Sequence, residues 1–100
     1  MPWDEYFLHD AGLKSIDVDW EQRSAVLCLI PDESYPEQPP TIQIRGLRQL
    51  IAERYEPWGP SDSIMTSEGP HASNPGTRLV LHMRSGDDVT VVADTFQADR

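Results

Sequence analysis

Residues 79–93, Leu-Val-Leu-His-Met-Arg-Ser-Gly-Asp-Asp-Val-Thr-Val-Val-Ala, contain the clearest structural signal in the chain. Apolar side chains recur at every second position on both sides of a short polar segment: Leu79, Leu81, Met83, then Val89, Val91 and Ala93. Positions two apart on a strand point to the same face of a sheet. The segment Ser85–Asp87 between them has the residue types of a tight turn. The stretch therefore predicts a β-hairpin with one face in the core.

The same period of two recurs upstream of this hairpin. Ile16, Val18 and Trp20 alternate with polar residues, and Ala25–Ile30 is an apolar run typical of a strand covered on both faces. Further strands are expected at 41–45, after an exposed acidic loop at 31–40, and at 64–66, before a second loop at 68–76. The sequence predicts a mainly β fold, either a single antiparallel meander sheet or a partly open barrel. The core residues expected are Trp20, Val26, Cys28, Ile30, Leu81, Val89 and Val91.

Residues 47–55 are the ambiguous element. Leu47, Leu50, Ile51 and Tyr55 fit the apolar stripe of a short helix, and the residue types between them favour a helix. A strand that continues to the following proline-rich corner fits an otherwise β chain equally well. The helix would make the fold α+β.

Length and composition indicate one domain over residues 1–100. The chain is 38% hydrophobic and 25% charged, which is globular composition. No apolar run approaches the ~20 residues of a membrane-spanning helix, and the acidic start differs from a basic secretory signal. A single cysteine, Cys28, excludes an internal disulfide and a cysteine-based zinc site. A cytoplasmic location is the default expectation.

The charge balance limits the class of partner. Asp and Glu outnumber Lys and Arg by 17 to 8, and residues 1–40 contain nine of the acids but only two of the bases. Nucleic acids and anionic membranes are bound by clustered basic residues, so neither is expected as a partner. Two interpretations of the acidity remain: it keeps the protein in solution, or it forms a docking face for a basic protein.

Residues 55–64, Tyr-Glu-Pro-Trp-Gly-Pro-Ser-Asp-Ser-Ile, are expected to form a rigid corner. Each proline fixes its own φ angle and restricts the residue before it. Trp58, held between these prolines beside Gly59, is either packed in the core or placed at the centre of a contact surface. Ser61 follows the second of these prolines. We include Trp58, Gly59 and Ser61 in a tentative binding site.

His9 and Asp10 complete that binding site, since a carboxylate can orient an imidazole for acid–base chemistry. Neighbours on a strand point to opposite faces, so the two side chains pair only if the backbone bends there. The alternative is structural, with Asp10 capping a turn and His9 packed under the sheet.

Other candidate chemistry has a structural explanation. Ser61, Ser63 and Ser67 lack the surroundings of a nucleophilic serine, and Cys28 is expected to be an inert core residue. Asp17, Asp19 and Glu21 share one strand face but lack the other features of a calcium loop, so they are expected to face solvent. No catalytic residue, cofactor or metal is predicted.

Three segments together resemble a loosely defined group of small bacterial proteins: Leu8–Ile16 with its His-Asp-Ala opening, Pro57–Ile64, and Leu79–Val91. Some proteins with a similar opening look like immunity proteins, which bind and neutralise a toxin made by the same cell. The resemblance implies a protein partner and transfers no catalytic residue.

Three functions follow from these patterns. The first is a non-catalytic, acidic protein-binding module, in its more specific form an immunity-type inhibitor of a basic toxin. The second is a small ligand-binding domain or enzyme that uses His9, Asp10 and the Trp58 corner. The third is a structural or assembly subunit without a site.

Overall fold

The protein folds into one antiparallel sheet of six strands. The computed structural model describes residues 6–54, 63–73 and 75–99. The strands are β1 (Gly12–Asp19), β2 (Ser24–Ile30), β3 (Thr41–Ala52), β4 (Ile64–Ala72), β5 (Thr77–Met83) and β6 (Asp88–Asp99). Their order in the sheet is β1-β2-β3-β6-β5-β4, and the described residues contain no helix. The prediction of a mainly β fold is confirmed.

The sheet consists of two three-stranded meanders joined in the middle. Strands β1–β3 and β4–β6 each follow one another in sequence, and β3 pairs with β6 along most of its length. The two edge strands meet at one end through a bridge between Gly12 and Ser63. Around it, the Asp10 amide donates to the Ile64 carbonyl and the Ile64 amide donates to the Ala11 carbonyl, both at 2.8 Å. The sheet therefore curves into a partly open barrel.

The core lies inside this curve. Leu79, Leu81, Val89 and Val91 are buried on the inner face, as the hairpin pattern predicts. The remaining core side chains come from the residues just before β1 and from strands β2 to β6: Leu8, Ala11, Ala25, Leu27, Leu29, Ile42, Ile44, Ile64, Met83 and Ala93. Leu8 and Ala11 thus pack under the sheet and supply part of the core.

The helix considered for 47–55 is wrong as far as the structure describes that segment, because β3 continues to Ala52. The apolar stripe has a different cause. The register between β3 and β6 shifts between Leu47 and Gln49, so β3 contains one extra residue there. The shift places both Leu47 and Leu50 against the core. A spacing of three, which imitates a helix, is therefore the result of a bulge in a strand.

Four of the predicted core residues are not in the core. Trp20 is 86% exposed in the turn after β1, and Ile30 is 55% exposed. Val26 and Cys28 are half-buried on the outer face, whereas Ala25, Leu27 and Leu29 point inward. The faces of β2 were misassigned because an apolar run without alternation does not indicate which side is covered.

Strand β4 is longer than predicted. It extends from Ile64 to Ala72 and includes Glu68 and His71, which were expected in a loop. Pro70 is tolerated because β4 is an edge strand, and the register with β5 shifts between Glu68 and His71. The loop at 31–40 is mostly exposed as predicted, but Gln38 and Pro39 are buried. The described residues form no helix long and apolar enough to cross a membrane.

Candidate functional site

His9 and Asp10 lie in a tight turn just before β1. The turn is closed by backbone hydrogen bonds from His9 to Tyr6 and from Ala11 to Leu8, both 3.0 Å. Asp10 has a positive φ of 66°, so the backbone bends at the point where pairing requires it. The imidazole Nε2 and the carboxylate Oδ2 consequently lie 3.5 Å apart on the same side of the chain.

Three other parts of the chain hold this turn in place. The His9 Nδ1 lies 2.6 Å from the Met65 carbonyl oxygen of β4, to which it can only donate. Arg84, after β5, forms an ion pair with the Asp10 carboxylate. The Gln38 side-chain amide donates to the His9 carbonyl at 2.7 Å, and its oxygen accepts from the Asp32 amide at 2.8 Å. Contacts from distant segments make the turn a rigid platform.

Two tyrosine rings flank the imidazole on this platform. Tyr6 and Tyr35 each meet the His9 ring edge-on. The centroid of the imidazole lies 5.8 Å from that of the Tyr6 ring and 6.0 Å from that of the Tyr35 ring. Tyr6 is 55% exposed and Tyr35 is 36% exposed. The loop that carries Tyr35 contributes Asp32, Glu33 and Glu37 and no basic residue. We call these three rings the Tyr6–His9–Tyr35 cluster. It is an aromatic surface beside an acidic loop.

Both ring nitrogens of His9 face oxygen atoms: Nδ1 lies against the Met65 carbonyl and Nε2 faces the Asp10 carboxylate. Ser63 takes part in the bridge that joins the edge strands, and Ser67 is 2% exposed on the inner face. The predicted site residues Trp58, Gly59 and Ser61 lie outside the described residues. The structure thus brings His9 and Asp10 together and leaves those three predictions open.

A second histidine has two carboxylate partners. His82 of β5 lies with its Nδ1 2.8 Å from Asp88 and pairs through Nε2 with Glu68. The hydrogen bond to the Asp88 carboxylate, supported by that to Glu68, raises the pKa of His82 above 6.5, although partial burial acts in the opposite direction. Both carboxylates stabilise the charged imidazolium.

The sequence did not predict this arrangement. A turn at Ser85–Asp87 would place Arg84 opposite Asp88, whereas the structure pairs His82 with Asp88 across the hairpin. The side chains lie on the outer face, opposite to the buried Leu81 and Val89. Glu68 is not predicted as a second partner of His82, because the segment that contains Glu68 has the residue types of a loop.

The remaining candidates behave as structural residues. Asp17 and Asp19 are exposed on β1, as predicted, and the Cys28 thiol donates to the Asp17 carboxylate at 3.6 Å. Cys28 is therefore a half-buried residue of the outer face and not the buried core residue expected. Across the described ranges, no group of three or more His, Cys, Asp or Glu side chains is placed to hold a metal ion.

Comparison of the chain with protein-family models, with curated proteins and with solved structures gave no match.

Proposed function

We propose that this protein is a non-catalytic binding module that engages a basic protein partner through the Tyr6–His9–Tyr35 cluster and the adjoining acidic loop. The observation that carries the proposal is the exposure of two tyrosines on a rigid, tethered platform. Exposed aromatic side chains with little conformational freedom are the residues that dominate the energy of protein interfaces. A cytoplasmic location and the absence of catalysis belong to the same proposal.

The negative charge of the chain supports a basic protein as the partner. The formal net charge is −9, and the loop beside Tyr35 adds three acids without a compensating base. Complementary charge accelerates encounter and disfavours partners of the same sign, while the aromatic centre contributes most of the affinity. In its specific form, suggested by the resemblance to immunity proteins, the module inhibits a basic toxin.

The test compares variants in capture of a partner from extract of the producing cell. The wild-type chain should retain a basic protein, and the Tyr6→Ala/Tyr35→Ala variant should lose it with a Kd at least about tenfold higher. Trp20→Ala is the matched control, because it removes an exposed aromatic residue outside the cluster. Thermal unfolding of each variant shows whether the fold is retained.

Charge is tested separately from the aromatic centre. Glu33→Gln/Glu37→Gln should slow association and weaken its dependence on salt, while dissociation changes little. For the inhibitor form, the purified partner should lose its own activity when one equivalent of this protein is added. Equal retention of the partner by the wild type and by the double tyrosine variant would refute the cluster as the interface.

A further inference from the structure

A cavity of about 740 Å³ opens on the concave side of the sheet, between the β1–β2 turn and the bulged part of β3. Four apolar side chains line it: Val18, Trp20, Leu47 and Leu50. Pockets that bind small molecules have volumes of roughly 300 to 1,000 Å³ and mostly apolar walls. This cavity has both properties, and it shares no lining residue with the Tyr6–His9–Tyr35 cluster.

The apolar wall of the cavity is exposed to an unusual degree. Trp20 is 86% exposed and Val18 is 43% exposed, while Leu47 and Leu50 are partly buried against the core. Trp20 follows the inward-facing residues Ile16 and Val18 at the same spacing, one residue beyond the end of β1. An apolar ligand in the cavity would remove this surface from water, at a gain of roughly 25 cal/mol for each Å² covered.

The charged residues that line the cavity, among those the structure describes, are both cations. They are Arg23 and Arg48, beside the neutral Gln49, and no described Asp or Glu lines it. The chain as a whole has 17 acidic and 8 basic residues, so the charge of this described lining is opposite in sign to the net charge of the protein. The local charge therefore favours an anion even though the protein as a whole repels one.

The two arginines have different roles at the mouth. Arg48 is held by Asp94, with its Nε 2.9 Å from the carboxylate, so part of its charge is already balanced. Arg23 is exposed, and its side chain forms no ion pair with the other described residues. Its carbonyl accepts the Leu47 amide at 2.7 Å, which fixes the Arg23 backbone beside the floor of the cavity. Arg23 is thus placed to receive a carboxylate.

From this geometry we infer that the cavity binds an anionic amphiphile, an apolar chain or ring system with one carboxylate, with the apolar part against Trp20, Leu47 and Leu50 and the carboxylate at Arg23. Charge-assisted hydrogen bonds between guanidinium and carboxylate are stronger than neutral ones and can be bidentate. The site is independent of the protein-binding proposal, because neither its residues nor its charge are those of the acidic surface.

The experiment measures heat of binding with decanoate and with decyltrimethylammonium, two amphiphiles of the same chain length and opposite charge. Decanoate should bind with one site per chain, and the cationic probe should bind more weakly despite the negative protein. Arg23→Gln should raise the Kd for decanoate about tenfold. Arg45→Gln, which removes an exposed arginine outside the cavity, should leave it within about twofold.

Amide and indole NMR shifts identify the place of binding. Decanoate should perturb the Trp20 indole and the Leu47 and Leu50 amides first, and Trp20→Ala should weaken binding without loss of the folded spectrum. Equal affinity for the two probes, equal effects of the Arg23 and Arg45 variants, or no heat of binding would overturn the inference. Dimerisation through Trp20 that is unaffected by decanoate would overturn it as well.

Discussion

The two halves of the sheet carry similar sequence patterns but are covered differently. In β5 and β6, the alternating residues Leu79, Leu81, Val89 and Val91 are all buried. In β1, the same alternation runs from Ile16 through Val18 to Trp20 and ends in a side chain that is 86% exposed. A period of two therefore shows which residues share a face, but it does not show where along the strand that face is covered.

The difference has a physical cause in the neighbours of each strand. Strand β5 pairs with β4 on one side and β6 on the other, so its inner residues are enclosed by strands on both sides. Strand β1 is an edge, and among the described residues its one bridge on that side joins Gly12 to Ser63, just before β4. The apolar residues of β1 lie farther from this bridge along the strand, and the last of them border the open cavity. The burial of the inner residues of β5 and the exposure at the end of β1 therefore follow from the positions of the two strands in the sheet.

Replacing Leu81 by Ala should produce the largest loss of stability. Leu81 is 0% exposed on the inner face of β5, so truncation removes buried methyl groups and leaves a cavity. We expect the free energy of unfolding to fall by about 2–5 kcal/mol, measured by urea denaturation.

The matched change in the other half is Trp20→Ala. Although it removes more atoms, the exposed position means that the expected loss is below about 0.5 kcal/mol. Similar losses for the two variants would remove the distinction between the halves.

Ser67→Ala should raise the stability of the protein, in contrast to the two substitutions above. Ser67 is 2% exposed on the inner face of β4, and its hydroxyl has no hydrogen-bond partner among the described residues. A buried polar group without a partner costs stability, so its removal should raise the free energy of unfolding by about 1 kcal/mol. Ser24→Ala, at a half-buried position of β2, is the control and should change little. Destabilisation by Ser67→Ala would reveal a partner for the hydroxyl.

His82→Gln should have a small effect on stability, and that effect should depend on pH. Because the pKa of His82 is raised in the folded state by Asp88 and Glu68, the stabilisation is complete below about pH 6.5 and is lost as pH rises through the folded-state pKa. The three side chains are 30%, 46% and 56% exposed, so the contribution should stay under about 1 kcal/mol.

Unfolding curves at several pH values test this dependence. The stability difference between wild type and His82→Gln should shrink as the solution becomes more alkaline. His71→Gln changes an exposed histidine on β4 and serves as the control. A difference that grows with pH would contradict the sign of the shift.

Much of the architecture could be predicted from the sequence because the information is local. The turn residues at Ser85–Asp87 and the alternation around them specify the β5–β6 hairpin. The bulge near Leu47 could not be recognised, because one inserted residue changes the period to that of a helix. The inner face of β2 was equally undetermined by a run of apolar residues.

The candidate site could also be predicted only in part. The pairing of His9 with Asp10 depends on the positive φ at Asp10, which the sequence allowed but did not specify. The partners that hold the turn, Met65 and Arg84, come from segments more than 50 residues away in the chain. Contacts over such separations arise from the sheet order, and local patterns do not contain that information.

The bridge between Gly12 and Ser63 has a consequence for the order of folding. Each three-stranded half is made of consecutive strands, so each can form through short loops. The bridge and the β3–β6 pairing join residues distant in the chain, and closing such loops costs entropy before any contact compensates for it. The two meanders are therefore expected to form early, and their docking along β3 and β6 sets the rate at which the barrel is completed.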